Sequence, residues 1–183
     1  MEVKATGFEG LVEIIPSIFS DSRGWFYELY NEETFRAHGL KHKFVQENQS
    51  FSKKGVVRGL HMQLDPYPQA KLVTVISGTV LDVVVDLRQG SKTFGKTNSC
   101  LLDSNKRKML LVPEGFAHGF AALEDSIFFY KCSSPYNREA EAGVIWNDSD
   151  LNIDWQVKNP ILSDKDLQLP TLADLLRKSV MLR

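Results

Sequence analysis

The chain has 183 residues, of which 43% are hydrophobic, and a formal net charge of −1 at pH 7. This length predicts one domain over residues 1–183. The near-neutral charge argues against nucleic acid or an anionic membrane as partner, and no run approaches the roughly 20 apolar residues of a membrane-spanning helix. Cys100 and Cys132 lack the spacing of a disulfide framework or a Cys-x-x-Cys site. We therefore expect a cytoplasmic protein.

A short helix is predicted near the N-terminus. Asn31 is a residue type that caps helices, and Glu32 and Glu33 follow it in the first turn, where negative charge is favourable against the helix dipole. Gly39 tolerates the left-handed backbone that often ends a helix. We expect the helix to lie between Asn31 and Gly39.

Most of the remaining chain is predicted to be β-strand. Leu81, Val83 and Val85 alternate with residues of another face, the period-2 pattern of a strand, and residues 71–76 form the preceding run. Ser77-Gly78 separates the two runs as a turn signal, so we expect them to pair as a hairpin. The layout recurs at residues 109–112, 116–123 and 126–132, and short strands at this spacing indicate a sandwich or a barrel.

The C-terminal part of the chain has weaker periodicity. Residues 147–170 are expected to form a long wrapping loop, which in a compact domain is more often functional or packed than idle. Thr171 can cap a helix over residues 172–180, where Leu172, Leu175 and Leu176 fall at helical spacing. Neither predicted helix carries candidate chemistry.

Two histidines in predicted strands, His61 and His118, raise the question of a metal site. A metal-binding cupin is expected to place a second His two residues after the first, because residues i and i+2 share a strand face. Here Gln63 occupies that position, the acidic residue that follows closely is Asp65, and His118 stands alone in its strand. The pattern therefore argues against a metal ligand set, and we expect no metal and no cofactor.

Acid/base chemistry without a metal suits these residues better. His61 can accept a proton near neutral pH, since the unperturbed pKa of histidine is about 6.5. Tyr130 can supply a proton from the opposite side of a substrate, and Lys71 and Arg58 can stabilise a developing oxyanion. Each residue alone is more often a buried side chain with a satisfied hydrogen bond. The combination favours a catalytic site.

Seven ordered segments carry a resemblance to a known family. They read FSDSRGWFYE at 19–28, FVQENQS at 44–50, GVVRGLH at 55–61, QAKLV at 69–73, VDLR at 85–88, PEGFAHGF at 113–120 and LSDKD at 162–166. Over nearly its full length the chain resembles the dTDP-4-dehydrorhamnose 3,5-epimerases, also called dTDP-4-keto-6-deoxyglucose 3,5-epimerases. The resemblance implies a mainly β fold, a cupin-type jelly-roll β-sandwich with a few short peripheral helices. It also implies a metal-free homodimer that exchanges an N-terminal strand, here within residues 19–30.

The resemblance further implies a double epimerisation activated by a ketone. The 4-keto group acidifies the hydrogens on C3 and C5, so a base can form an enolate and an acid can return a proton to the other face. By position, His61 matches the family's base and Asp166 the carboxylate paired with it. Tyr130 matches the acid, and Lys71 would stabilise the enolate oxygen.

Substrate-binding positions carry over in the same way. The residues at family binding positions are Arg23, Glu28, Gln46, Glu47, Asn48, Arg58, Lys71, His118, Tyr136, Glu141 and Lys165. Tyr136 matches the aromatic residue that stacks on the thymine ring, and the cations suit a pyrophosphate. The chain departs from the family at Met62 and Trp25, where an aromatic residue and a phenylalanine are frequent. We expect both residues to line the pocket and to tune the choice of sugar.

The sequence leaves other functions open. Relatives of the family epimerise one carbon only, or act as ketoisomerases on a related nucleotide-linked 4-keto-6-deoxysugar. A metal-dependent cupin would need bound iron, manganese or zinc. A sugar-binding jelly roll would keep the pocket without the chemistry.

Overall fold

The computed structural model describes residues 1–181, which are mostly β-strands and loops. The strands are β1 (Glu2–Ala5), β2 (Val12–Ile15), β3 (Ile18–Asp21), β4 (Gly24–Tyr27), β5 (Gln46–Ser52), β6 (Val57–Gln63), β7 (Lys71–Ser77), β8 (Thr79–Asp86), β9 (Thr97–Asp103), β10 (Met109–Val112), β11 (Phe116–Ala122), β12 (Ser126–Cys132) and β13 (Glu141–Gly143). The helices are α1 (Glu32–Ala37), α2 (Asp164–Leu167) and α3 (Leu172–Met181).

Two antiparallel sheets form the body of the protein. One has six strands in the order β1-β2-β10-β7-β12-β5, and the other has five in the order β13-β6-β11-β8-β9. Their inner faces meet in an apolar core that includes Val73 and Phe128 from the first sheet and Val80, Val84 and Phe120 from the second. The mainly β, cupin-type jelly-roll sandwich with short peripheral helices is therefore confirmed.

The predicted hairpin between residues 71–76 and 81–88 is wrong. β7 lies in the six-stranded sheet, whereas β8 lies in the five-stranded sheet, so the chain crosses between sheets at Ser77-Gly78. Gly78 has a positive φ of 84°, and a Cβ there would lie 2.4 Å from the Asp125 carbonyl oxygen. A hairpin and a sheet crossing both need a tight reversal with a glycine, so local turn chemistry does not distinguish them.

Both sheets are also covered on their outer faces. Val144, Leu151 and Trp155 pack with Leu172 of α3 against the five-stranded sheet, so residues 147–170 do wrap the domain. This segment is not wholly a loop, because α2 lies inside it. On the other side, Phe35 of α1 packs against the six-stranded sheet.

The two predicted helices form at their predicted caps. The Asn31 side chain accepts hydrogen bonds from the amides of Glu33 and Thr34 at 3.0 and 3.1 Å, and Gly39 follows α1 with a φ of 81°. The Thr171 hydroxyl accepts a hydrogen bond at the start of α3. Within residues 1–181, the structure contains no helix that is long and apolar enough to span a membrane.

The strands β3 and β4 form a hairpin that pairs with neither large sheet. Its aromatic side chains face solvent, with Phe19 65%, Trp25 57% and Phe26 67% exposed. Exposed apolar surface of this kind is uncommon on a monomer.

A buried carboxylate organises the end of the sandwich where β8 meets β11. Asp86 is fully buried and accepts hydrogen bonds from the Arg88 guanidinium at 2.8 and 2.9 Å and from the hydroxyls of Ser91 and Thr93 at 2.6 Å. The Arg88 guanidinium also lies 4.4 Å from the centre of the Phe116 ring. Burial by itself raises the pKa of Asp86, but the hydrogen bonds outweigh it and hold the pKa far below the usual carboxyl range.

We expect Asp86→Asn to lower the free energy of unfolding by about 2–4 kcal/mol, because it leaves the Arg88 guanidinium without its buried partner. The folded pKa lies below the unfolded value of about 4, so the carboxylate stabilises the protein above that pH and loses this effect as the pH falls. Urea unfolding at pH 7 and at lower pH measures the difference. The exposed Asp150→Asn is the control, and equal stability of the two variants at pH 7 would contradict the prediction.

Candidate active site

A cavity of about 490 Å³ opens between the two sheets. Eleven of the residues predicted for the site line it, namely Gln46, Asn48, Arg58, His61, Lys71, His118, Tyr130, Tyr136, Glu141, Lys165 and Asp166. They come from strands of both sheets, from the loop before β13 and from α2. The sandwich therefore brings together groups that are far apart in the sequence.

His61 and Asp166 form a close pair in this cavity. His61 Nε2 lies 2.5 Å from Asp166 Oδ1. The Asp166 side chain is 5% exposed. Ser163 caps α2 and its hydroxyl donates a hydrogen bond to the other oxygen of Asp166 at 2.9 Å. An ionised carboxylate accepts only, so the ring proton lies on Nε2 and Nδ1 is left as the basic nitrogen.

The electrostatics of the pair keep the carboxylate ionised. Burial raises the pKa of Asp166, but the hydrogen bond and charge of His61, with Ser163 and Lys165, outweigh burial and lower the pKa below its usual value. The Asp166 carboxylate orients the imidazole ring through its contact with Nε2. The arrangement has the features of a base with its positioning carboxylate.

Tyr130 faces this pair from the opposite sheet. His61 lies on β6 of the five-stranded sheet and Tyr130 on β12 of the six-stranded sheet, and both side chains line the cavity. Burial is the main cause that raises the pKa of the Tyr130 phenol, and the charge of Arg58 opposes it. The phenol therefore carries its proton at neutral pH, on the side of the cavity opposite His61.

Lys71 lies on the same wall of the cavity as Tyr130. It lies on β7 directly opposite Cys132 of β12, and both line the cavity. Burial lowers the pKa of Lys71, while the nearby Cys132, Asp82 and Glu141 oppose that shift. A poorly hydrated ammonium interacts strongly with negative charge that develops near it.

A second histidine–carboxylate pair lies deeper in the sandwich. His118 is the strand partner of His61 across β11 and β6, and its Nε2 lies 2.8 Å from Asp82 Oδ2. Both side chains are buried, with His118 7% and Asp82 1% exposed. The pair fixes the orientation of the His118 ring at the wall of the cavity.

Arg58 reaches the cavity because β6 is irregular between it and His61. Strand alternation alone would place these residues on opposite faces. The register shifts between His118 and Phe120 of the neighbouring strand, next to Gly59. Gly59 has a φ of 118°, and a Cβ there would lie 2.6 Å from Gly119 Cα, so the close approach of the strands requires glycine.

Polar residues at the mouth of the cavity form a linked group. The Tyr136 hydroxyl donates a hydrogen bond to Glu141 Oε2 at 2.9 Å, and Lys165 Nζ lies 2.5 Å from Glu141 Oε1. The Tyr136 amide donates to Gln46 Oε1 at 2.8 Å. Tyr136 is 54% exposed and lines the cavity, so it can contact a ligand there.

Comparison with known proteins identifies the family. Residues 5–174 match the family model described as dTDP-4-dehydrorhamnose 3,5-epimerase. A relative of that name from Shigella flexneri is 47% identical over 169 residues, which are 91% of this chain and 93% of the relative. This chain belongs to the dTDP-4-dehydrorhamnose 3,5-epimerase family.

Solved structures agree with this assignment. The dTDP-4-dehydrorhamnose 3,5-epimerase from Bacillus anthracis str. Ames, with TDP and PPi bound, has a TM-score of 0.91 at 44% identity and covers 93% of this chain and 99% of its own. ChmJ, a 3'-monoepimerase from Streptomyces bikiniensis in complex with dTDP-quinovose, has a TM-score of 0.88 at 35% identity. The match covers 96% of this chain and 90% of ChmJ.

Four residues expected in the epimerase pocket lie outside the cavity of the chain. Arg23 is on the exposed hairpin, where it pairs with Asp21 at 2.6 Å, and Trp25 is on the same hairpin. Glu28 accepts a hydrogen bond from Asn31 at 2.9 Å at the start of α1. Glu47 lies on the other face of β5 from Gln46 and Asn48 and pairs with Lys131, because successive strand residues alternate in direction.

Met62 lines the cavity as expected, and the sequence did not identify several polar residues of the site, among them Ser163, Asp82 and Gln63. Ser163 positions Asp166, and its Ser-x-x-Asp spacing is a capping signal that could have revealed α2. Asp82, which holds His118, and Gln63, which is 5% exposed in the cavity wall, had no local signal as site residues.

Within residues 1–181 no group of three or more His, Cys, Asp or Glu side chains is arranged to hold a metal ion.

Proposed function

We propose that this protein epimerises dTDP-4-dehydro-6-deoxy-glucose at C3 and C5 to give dTDP-4-dehydro-rhamnose, in dTDP-rhamnose biosynthesis. The observation that carries the proposal is the placement of the His61–Asp166 pair opposite Tyr130, across a cavity that also holds Lys71. Membership of the family supports the nucleotide sugar as substrate.

His61 and Lys71 act in the first half of each epimerisation. His61 Nδ1 removes the proton from C3 or C5, and the electron pair of that C–H bond moves toward the carbonyl to give an enolate. The imidazolium that forms is stabilised by Asp166, and the enolate oxygen by the Lys71 ammonium. Both stabilising charges are in place before the proton moves, so little reorganisation is needed.

Tyr130 completes the inversion. Its phenol gives a proton to the carbon from the face opposite His61, and the carbonyl forms again. His61 is then protonated and Tyr130 ionised, and the proton passes between them through solvent before the next turnover. The raised pKa of Tyr130 suits this role, because its phenolate readily takes the proton back.

The remaining cavity residues are proposed to bind the nucleotide. Arg58 and His118 lie on neighbouring strands near the reacting end, where they suit the pyrophosphate. Tyr136 offers an exposed ring face for thymine at the mouth, and Glu141 and Lys165 adjoin it. Gln46 and Asn48 complete this wall from β5.

We propose that the active unit is a homodimer in which the β3–β4 hairpin of each chain reaches the site of its partner. The exposed aromatic residues of the hairpin, Phe19 and Phe26, support an interface. β5 is an edge strand of the six-stranded sheet and carries cavity residues, so a partner strand added there would bring Arg23 and Glu28 to the site. The same exchange would place Glu47 beside the partner.

A mixture of two inactive variants should recover activity if Arg23 acts in the partner's site. In a mixed dimer of Arg23→Ala and His61→Asn, one site has His61 from one chain and Arg23 from the other. Co-expression of the two variants should therefore restore roughly a quarter of wild-type activity, the fraction of intact sites under random pairing. No recovery in purified mixed dimers, or a fully active monomer by light scattering, would refute the exchange.

Incubation with dTDP-4-dehydro-6-deoxy-glucose in heavy water, followed by NMR, tests the function. Deuterium at both C3 and C5 with inversion at both carbons is the expected result. Inversion at one carbon indicates a mono-epimerase, the activity that the more distant ChmJ structure represents. Absence of both exchange and inversion would overturn the proposal and leave a sugar-binding protein.

The reaction is proposed to need no metal and no other cofactor. Gln63, at the strand position where a metal cupin has a second histidine, uses its amide to bind backbone groups, so it is not available as a ligand. Elemental analysis of active protein should find no stoichiometric iron, manganese or zinc, and a chelator should leave the rate unchanged. Loss of activity on chelation with recovery on metal addition would favour a metal-dependent cupin.

We also propose a cytoplasmic location. Cys100 and Cys132 are both free thiols, and burial raises the pKa of Cys100 to about 12. Cys132 lines the cavity next to Lys71, where oxidation of its thiol would alter the site. A reducing compartment keeps both thiols in this form.

A further inference from the structure

Gln63 is a buried polar residue of the cavity wall that the chemistry above does not use. It lies on β6 two residues after His61, and its side chain is directed to loop backbone. Nε2 donates hydrogen bonds to the carbonyl oxygens of Tyr67 at 2.7 Å and Pro135 at 3.2 Å, and Oε1 accepts one from the Asn137 amide at 2.7 Å. Both kinds of polar atom in the side chain therefore bind backbone.

These hydrogen bonds lie on both sides of Tyr136. Pro135 precedes it and Asn137 follows it, while its own amide is held by Gln46 from the opposite sheet. Three consecutive residues of the loop are thus tied to the sandwich. Tyr136 as a residue is still 54% exposed. A loop held in one conformation before binding loses less conformational entropy when a ligand arrives.

We propose that Gln63 is a positioning residue for nucleotide binding, which acts by holding the loop that presents the Tyr136 ring to the base. This inference rests on the proposed function, in which Tyr136 stacks on thymine. Gln63 acts on ground-state binding through Tyr136 and not on the proton transfers, so its loss should weaken binding of the nucleotide and leave the chemical step largely intact.

Calorimetric titration with dTDP tests the proposal on the purified full chain. Gln63→Ala should raise the Kd for dTDP about tenfold, the effect of one to two hydrogen bonds. Gln63→Glu keeps the size of the side chain and the oxygen that accepts from Asn137, but it sets a carboxylate oxygen, which only accepts, against the carbonyl oxygens of Tyr67 and Pro135. We therefore expect this variant to raise the Kd as well. KM should rise while kcat stays within about twofold. If Gln63→Ala fails to fold, the Gln63→Glu comparison decides, and wild-type affinity in that variant overturns the proposal.

A double-mutant cycle separates positioning from a general structural role. Tyr136→Ala should itself weaken dTDP binding, and Gln63→Ala added to it should cause little further loss, because Gln63 acts through that ring. Amide hydrogen exchange at Tyr136 and Asn137 should speed up in Gln63→Ala. Additive losses, or unchanged exchange, overturn the positioning role.

The same measurements distinguish this proposal from the proposed function. If the wild-type protein does not bind dTDP, or if Tyr136→Ala binds dTDP as tightly as wild type, the proposed nucleotide site is wrong. The proposed role of Gln63 is then also wrong. If both controls behave as expected and the Gln63 variants bind dTDP like wild type, the positioning role alone is overturned.

Discussion

His61→Asn is expected to lower the rates of proton exchange and of epimerisation at both C3 and C5 by about 10²- to 10⁴-fold, the usual contribution of a positioned general base. Asparagine can still hydrogen-bond to Asp166, but it has no nitrogen that takes up a proton near neutral pH. The measurement is deuterium incorporation from heavy water into dTDP-4-dehydro-6-deoxy-glucose, followed by NMR. Binding of dTDP and the fold should persist.

Two further variants sharpen this test. His38→Asn changes an exposed histidine at the end of α1 that does not line the cavity, and it should exchange protons at the parental rate. Asp166→Asn should lower the rate, yet add little in the His61→Asn background, because the carboxylate acts through the imidazole. Near wild-type exchange in His61→Asn would show that another group is the base.

Tyr130→Phe is expected to separate proton removal from proton delivery. The hydroxyl is the one group lost, and the ring can still pack beside Phe128, whose centre lies 6.0 Å away, so the fold should change little. His61 still removes a proton and can return a deuteron to the same face. The variant should therefore exchange deuterium with retained configuration, while formation of epimerised product falls by about 10²-fold or more.

The outcomes for Tyr130 are distinct in one NMR experiment. Tyr67→Phe, which removes a hydroxyl outside the cavity, serves as the control and should behave like wild type. Epimerisation of both carbons at the parental rate by Tyr130→Phe would show that another acid or water delivers the proton. Loss of exchange together with epimerisation would mean that Tyr130 positions the sugar or polarises the ketone.

The helix signals and the strand signals succeeded for local reasons. Asn31 and Thr171 cap their helices through side-chain oxygens that bond to amides a few residues ahead, and such contacts depend on neighbours in the sequence. β10 and β12 likewise begin and end where the apolar runs do. α2 was missed because it is a single short turn whose capping signal, at Ser163, lies inside an otherwise aperiodic segment.

Strand pairing could not be predicted in the same way. Ser77-Gly78 reverses the chain in a hairpin and in a sheet crossing alike, and the choice between them depends on which surfaces the flanking strands bury. β8 buries both faces, one in the core between the sheets and the other beneath residues from the C-terminal segment. No local pattern contains that information, because the covering residues are distant in the sequence.

The candidate site likewise has features that the sequence predicts and features that depend on tertiary structure. The sequence by itself determined the fold class, the helix caps and, through its resemblance to a family, the set of residues to examine, because these depend on residue types and their order. Only the tertiary structure decided that His61 Nε2 meets Asp166, 105 positions later, that His118 is held by Asp82, and that Arg23, Glu28 and Glu47 lie outside the cavity of their own chain. Distances between remote residues follow from how two sheets pack, and packing is a property of the whole chain.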